Sequence, residues 1–215
     1  MMNSKIKVLL VDDHTVVRAG FKMLLATSSN MEVVAEAACG EQAIQLYQSC
    51  QPDIIVLDLS MPGIGGLEAI KRLVQRDEKV KILVFSVHDE PVYVNRALNA
   101  GAKGYITKNS APEILPDAIE AIQNGQCYVE HGLLKKSSDE VSEHDFQSII
   151  QTFSAREFDV FRLLAKGLTA HKIADELCLG YKTVANYVTQ IKKKLQVSSM
   201  AELAHIAVLL GIVKH

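Results

Sequence analysis

The pattern of apolar and polar positions switches period repeatedly over the first 124 residues. Short apolar runs at Ile6 to Val11, Val33 to Ala37, Ile54 to Asp58, Ile82 to Ser86 and Gly104 to Thr107 read as strands. Each is followed by apolar residues at helical spacing: Val17, Phe21 and Leu24; Ala43, Leu46 and Tyr47; Leu67, Ile70, Leu73 and Val74; Val94, Ala97 and Leu98; Ile114, Ala118, Ile119 and Ile122. The third run has four consecutive apolar residues before a Pro and Gly cluster, the signature of a strand buried on both faces. Alternation of this kind predicts an α/β doubly wound domain: a five-stranded parallel sheet with helices on both sides.

From Gly125 to Gln151 the pattern turns polar, through Lys135-Lys136-Ser137-Ser138-Asp139-Glu140, and reads as an interdomain linker with helical character near Asp145 to Ile150. The rest is all-helical. Ser154-Ala155-Arg156-Glu157 is a capping box ahead of Phe158, Phe161, Leu164 and Ala165, and Gly167 closes that helix. A short helix from Ala170 to Leu177, a turn at Gly180, a longer helix from Lys182 to Leu195 and a last one from Ser199 to Leu210 complete it. The expected division is therefore 1–124, a linker at 125–151, and an all-α four-helix domain at 152–215.

Composition adds little until charge is divided along the chain. A length of 215 residues with 48% hydrophobic and 22% charged residues is that of an ordinary globular protein. No apolar run is long enough to span a bilayer and the amino terminus lacks the order of a signal peptide, so a cytoplasmic protein is expected. Cys39, Cys50, Cys127 and Cys178 have no paired spacing, which argues against a zinc site or disulfide framework and for buried or inert thiols. The net charge of -2 conceals an asymmetry: from Thr152 onward nine Lys and Arg face five Asp and Glu, or +4, leaving 14 against 20, or -6, before it. An acidic first part and a basic second part point to different partners, nucleic acid for the second.

The candidate chemistry lies at strand ends. Asp58 closes the third run and Asp12-Asp13 follow the first, so neighbouring strands bring three carboxylates to one cleft. That density of negative charge calls for a divalent cation such as magnesium. Taken singly, a strand-end Asp is ordinarily a cap or turn former, Tyr105 a core residue and Lys108 a solvated charge. Their succession at consecutive strand ends outweighs those readings. His14, without a second histidine nearby, reads as a helix-start residue.

Asp12-Asp13, Asp58, Ser86, Tyr105 and Lys108, in the phrases Val11-Asp12-Asp13-His14, Asp58-Leu59-Ser60-Met61-Pro62-Gly63 and Gly101-Ala102-Lys103-Gly104-Tyr105-Ile106-Thr107-Lys108, resemble the receiver domain of two-component response regulators. The resemblance implies a flavodoxin-like strand order of 2-1-3-4-5. It also implies that Asp58 accepts a phosphoryl group from a sensor histidine kinase or phosphotransfer protein. An attacking carboxylate must approach an electron-rich phosphoryl group, so its charge needs neutralising. Mg2+ (or Mn2+) held by Asp13 and Asp58, with Asp12 through water and the Ser60 backbone oxygen, would do so from one side and Lys108 from the other. Ser86 can donate to a phosphoryl oxygen, and the family implies that its movement lets Tyr105 turn inward and carries the switch through the fourth helix and fifth strand.

Phe153-Ser154-Ala155-Arg156-Glu157, Lys166-Gly167-Leu168-Thr169, Ile173-Ala174, Lys182-Thr183-Val184, Ile191, Lys194-Leu195 and Glu202-Leu203 resemble the LuxR-type helix-turn-helix of the NarL and FixJ branch. Ala170, His171 and Lys172 depart from the Asn-Lys-Glu type of sequence, and Tyr187 replaces a frequent His. Met61 to Glu68 and Tyr187 are similar to the global regulators paired with hybrid sensor kinases. On the long helix Val184, Val188, Ile191 and Leu195 form an apolar stripe, while Lys182, Asn186, Thr189 and Lys193 lie nearly opposite. Asn186 suits an adenine edge and Thr189 a base or thymine methyl, with Tyr187 beside them. Lys182, Thr183, Lys192, Lys193 and Lys194 suit phosphates. A lysine run alone is commonly a solvated face, and the last helix reads chiefly as core, with a dimer role implied by the family.

The expected function is a transcriptional response regulator: not a turnover enzyme, switched at Asp58, binding promoter DNA as a homodimer when phosphorylated, and without membrane contact. Two other classes stay open. A magnesium-dependent phosphohydrolase would also use a strand-end Asp, although such enzymes place a second Asp where Ser60 stands here. A protein-binding scaffold would make no DNA contact.

Overall fold

The computed structural model describes residues 5–110, 113–133 and 141–213, with backbone alone for 141–145. The chain divides into two compact units, Met1–Leu134 and Lys135–His215. In the first, β1 (Ile6–Val11), β2 (Met31–Ala37), β3 (Ile54–Leu57), β4 (Ile82–Ser86), β5 (Gly104–Thr107) and β6 (Tyr128–Val129) make one sheet. Its order is β2-β1-β3-β4-β5-β6, and every pairing is parallel. The order reverses between β1 and β3, which opens a crevice at the carboxyl ends of those strands.

Period-two alternation sorts the strand residues between two helical layers. Val8, Leu10, Ile54, Val56, Leu83, Phe85 and Ile106 pack with Leu25 of α1 (Thr15–Ala26) and with Leu115, Ala118, Ile119 and Ile122 of α5 (Ile114–Gln123). The intervening Leu9, Ile55, Leu57, Ile82 and Val84 are equally buried, on the side of α2 (Gly40–Cys50), α3 (Gly66–Arg76) and α4 (Pro91–Asn99). Each such aliphatic side chain contributes about 1.5–3 kcal/mol by leaving water. A sheet covered on both faces is a rigid mount for whatever stands at its edge.

Six strands stand where the pattern predicts five. β6 is two residues long, too short to register as an apolar run, and it exists because β5 offers an open edge: Tyr128 N donates to Lys103 O at 3.1 Å and Glu130 N to Tyr105 O at 3.0 Å. It lies inside the stretch expected as linker. So does α6 (Val141–Gln151), whose Ile150 is fully buried; the Lys135 to Glu140 phrase lies outside the described residues.

α7 (Ala155–Ala165), α8 (Ala170–Glu176), α9 (Tyr181–Leu195) and α10 (Met200–Leu209) are the four helices expected from residue 152 onward, and α6 adds a fifth to the second unit among its described residues. The capping box at α7 is complete: Glu157 N donates to Ser154 Oγ at 3.1 Å and Ser154 N to Glu157 Oε2 at 2.7 Å. Gly167, at φ +82, ends the helix. All four cysteines are free thiols, and Cys127 and Cys178 are exposed rather than buried, because each falls in a connection outside the packed faces. Among the described residues no helix is long and apolar enough to cross a membrane.

Candidate functional site

The ends of β1 and β3 lie side by side, with Val11 opposite Leu57 in the parallel register. Asp12 and Asp58 each follow their strand by one residue, and their side chains are only 8% and 3% exposed. Lys108 follows β5 and reaches across β4: its Nζ donates to Asp12 Oδ2 at 2.5 Å and to Asp58 Oδ2 at 2.8 Å. Asp13 and His14 complete the rim, and one ligand atom from each of Asp12, Asp13, His14 and Asp58 lies within 4.8 Å of the others. His14 holds the N-cap position of α1 as expected but makes no side-chain cap; its Nδ1 turns instead to Asp13 Oδ1 at 2.8 Å and Asp12 Oδ1 at 3.2 Å.

The charges do not balance. Burial pushes the Asp58 carboxyl above its ordinary range even though Lys108 pulls the other way, with Asp12 adding repulsion. Burial acts to lower Lys108, but Asp58 and Asp12 outweigh it and hold the ammonium above its ordinary value. The Lys108 ammonium is thus shared between Asp12 and Asp58, with the Asp13 carboxylate beside them. Asp13 Oδ1 is buried and has no hydrogen bond of acceptable geometry, despite the nearby imidazole. A buried carboxylate oxygen left over in an acidic pocket is the donor type a hard divalent cation takes. The loop beneath leaves no slack: a Cβ on Gly66 would fall 2.3 Å from Asp58 O, so only glycine lets α3 start this close to Asp58.

Ser86 ends β4 and is completely buried. Its hydroxyl oxygen accepts from His88 N at 3.4 Å. Tyr105 also has no exposed surface and points inward, its hydroxyl donating to His88 O at 2.8 Å. Burial raises the Tyr105 phenol far above its ordinary value, against an opposing hydrogen bond with Ser86. Ser60 N donates to Asp58 Oδ1 at 3.2 Å, and Ser60 Oγ meets His88 Nε2 at 3.0 Å. The His88 ring stacks on Tyr93 of α4, with centroids 4.0 Å apart. His88 was not singled out from sequence; its signal is its place two residues beyond a strand-end serine. Arg18 was missed as well. It donates from Nη1 to Asp12 O at 2.5 Å and is only 13% exposed, and nothing local marks a helical arginine as reaching the cleft.

On α9, Val184, Ile191 and Leu195 are buried and Val188 half-buried, while Lys182, Thr183, Asn186, Thr189 and Lys193 are exposed. The other expected contacts are placed differently. Tyr187 is half-buried, and Thr189 donates its hydroxyl to Ala185 O at 3.0 Å. Lys192 Nζ donates to Ser198 O at 2.9 Å. Lys194 turns back to Glu157 at 2.7 Å and stands 5.4 Å from the centroid of the Phe153 ring. Lys194 therefore braces the helix against α7, because residue 194 lies on the side of α9 that borders the capping box.

An acidic, lysine-bridged crevice at the switch point of a parallel sheet, carried in one chain with a basic helix-turn-helix unit, is the arrangement of a receiver joined to an output module. Residues 8–120 match the response regulator receiver domain, and residues 151–207 match the bacterial regulatory proteins of the luxR family. The chain belongs to the two-component response regulators with a LuxR-type DNA-binding domain, and its relatives are of the NarL/FixJ branch. It is 40% identical over 211 residues to the transcriptional activator protein ExaE of Pseudomonas putida, covering 96% of this chain and 98% of that one. It is 35% identical over 208 residues to the response regulator UvrY of Escherichia coli K12, covering 96% and 95%. Among solved structures it resembles RcsB from Salmonella enterica serovar Typhimurium bound to promoter rprA in the presence of the phosphomimetic BeF3-, with 26% identity, 94% and 98% coverage and a TM-score of 0.65.

Proposed function

We propose that Asp58 is the phosphoacceptor of this regulator, taking a phosphoryl group from a sensor histidine kinase or phosphotransfer protein. The observation that carries this reading is the sharing of Lys108 between Asp58 and Asp12 in a cleft that remains short of positive charge. In the reaction an Asp58 carboxylate oxygen bonds to phosphorus as the bond from phosphorus to the donor imidazole breaks, its electron pair returning to that nitrogen. Lys108 neutralises the acceptor and then the phosphoryl oxygens, and the Ser86 hydroxyl donates to one of them. Asp12, Asp13 and Asp58, with the Ser60 backbone oxygen, would hold Mg2+ or Mn2+. The orphaned Asp13 oxygen supports that fit, and the ion would supply charge neutralisation.

The chain acts once per phosphorylation and is not a turnover enzyme. Ser60, not a second carboxylate, stands two residues after Asp58, and its hydroxyl is engaged with His88. The output is DNA binding by a phosphorylated homodimer in the cytoplasm, with Asn186 and Thr189 at base edges and Lys182, Thr183 and Lys193 at phosphates. The likeness to RcsB bound to a promoter in the presence of a phosphomimetic supports this reading. The division of the chain into units Met1–Leu134 and Lys135–His215 supports a receiver that includes β6, followed by a reader.

The test is intact-mass measurement after incubation with acetyl phosphate and Mg2+, followed by promoter-fragment binding with and without beryllofluoride. A single added phosphoryl group, absent in Asp58→Asn, and tighter DNA binding in the activated form are expected. Uptake that persists in Asp58→Asn would refute the assignment.

A further inference from the structure

Lys108 can serve Asp58 only if the turn that carries it is fixed, and the clamp on that turn comes from a residue outside the strand-end set. The backbone of Lys108 is held on one side by β4, where Lys108 N donates to Ser86 O at 2.7 Å. On the other side the carboxylate of Glu130 accepts twice on a single oxygen: from Thr107 N at 2.8 Å and from Ser110 Oγ at 2.6 Å. Thr107 Oγ1 and Ser110 Oγ lie 2.9 Å apart and close the turn on itself.

Glu130 does this because it stands where β6 stops. Its own N–H still donates to Tyr105 O, as the next rung of the β5–β6 pairing, but the strand ends at Val129. The side-chain oxygen then takes the Thr107 amide that a further strand carbonyl would have accepted. A charged acceptor makes a stronger bond there than a peptide oxygen does. Thr107 is buried, so an unmatched amide at that point would be costly.

We propose that Glu130 is a positioning residue for Lys108. Its carboxylate sets the Thr107–Ser110 turn that delivers the ammonium to Asp58, and it ties that turn to the chain leaving the first unit, which ends at Leu134. When Lys108 follows a phosphoryl group, the turn moves and Glu130 moves with it. A push on the segment after β6 in turn displaces the ammonium. The inference rests on Asp58 being the acceptor.

The test uses the full chain with acetyl phosphate and Mg2+, reading the rate of phosphoryl uptake by phosphate-affinity electrophoresis, with thermal melting in parallel. Glu130→Ala should slow uptake on the order of tenfold, the scale of a small misplacement of a catalytic group. Glu130→Gln keeps an acceptor oxygen and should restore uptake to within about twofold of wild type. Ser110→Ala removes one of the two donors and should fall between them, and it carries the test if Glu130→Ala does not fold. In a Lys108→Ala background Glu130→Ala should add nothing, because the two residues act in series.

Wild-type uptake in Glu130→Ala or Ser110→Ala overturns the proposal. So does a Glu130→Gln protein as slow as Glu130→Ala, or an effect that adds fully to that of Lys108→Ala. Absence of uptake by the wild-type chain would instead bring down the acceptor assignment, and this inference with it.

Discussion

Lys108 Nζ lies 2.8 Å from Asp58 Oδ2, yet Asp58 titrates above its ordinary range. The ammonium is divided between Asp58 and Asp12, while 97% of the Asp58 side chain is withdrawn from water, its exposure being 3%. The ionised Asp58 carboxylate is thus kept at a cost to the fold. A carboxyl whose folded pKa is raised contributes stability that is complete below its unfolded pKa, about 3.9, and is lost as pH rises through the folded value. Asp58→Asn should therefore melt above wild type at neutral pH, with the gap closing on acidification toward that unfolded pKa, while phosphoryl uptake disappears. A variant that melts below wild type at neutral pH would contradict this account of the cleft.

The orphaned oxygen of Asp13 gives a separate test. Adding Mg2+ should raise the melting temperature of the receiver, by about 2.7 kcal/mol of stabilisation when the free ion is at a hundred times its dissociation constant. Asp13→Ala should lose most of that response while melting close to wild type in chelator. An undiminished response in Asp13→Ala would remove Asp13 from the ligand set.

These two tests concern residues the sequence already points to, and the reason is geometric. A parallel strand buried on both faces has to end in a loop at the sheet edge, so Asp12, Asp58, Ser86 and Lys108 are legible from the apolar runs before them. Residues that reach the cleft from elsewhere are not legible in that way. Arg18 comes from a helix, and Glu130, which holds the turn carrying Lys108, follows a two-residue strand that propensity alone cannot detect. Charge alone makes Lys192, Lys193 and Lys194 look alike, whereas their contacts depend on how α9 is turned against α7, which only tertiary packing decides. The helix α6 is only hinted at in the sequence, because Ser, Glu, His, Asp and Gln make up most of it and Ile150 alone is fully buried among its described side chains.

Besides its hydrogen bond with Ser86, Tyr105 links the cleft to the loop before α4 by donating to His88 O at 2.8 Å. Tyr105→Phe keeps the ring and removes that bond, at a cost of about 1 kcal/mol. Phosphoryl uptake should stay at the wild-type rate, because the phenol does not touch Asp58 or Lys108. The gain in DNA affinity on activation with beryllofluoride should shrink. A full gain in Tyr105→Phe would show that the switch does not pass through this tyrosine.

Lys193 and Lys194 are adjacent in sequence and should behave as different kinds of residue. Lys193 is exposed on the Asn186 face, so Lys193→Ala should weaken binding to all duplexes alike and reduce the slope of log affinity against log salt by about 1. Lys194 is engaged with Glu157. Burial pushes the Glu157 carboxyl up, but the Lys194 hydrogen bond and the Ser154 backbone and side chain outweigh it and leave it below its ordinary value. Stability from such a group is present above the unfolded pKa, about 4.3, and is lost as pH falls through the depressed folded value. Lys194→Ala should cost about 1 kcal/mol after solvent screening, since Lys194 is 37% exposed, and should move acid unfolding of the second unit to higher pH. Its salt slope for DNA should match wild type. Asn186→Ala should instead relax base preference and leave both slope and melting unchanged, because an exposed amide on that face can act only through the groove it enters. If Lys194→Ala flattens the slope as Lys193→Ala does, the lysine releases Glu157 for DNA, and the division of α9 into a bracing edge and a reading face fails.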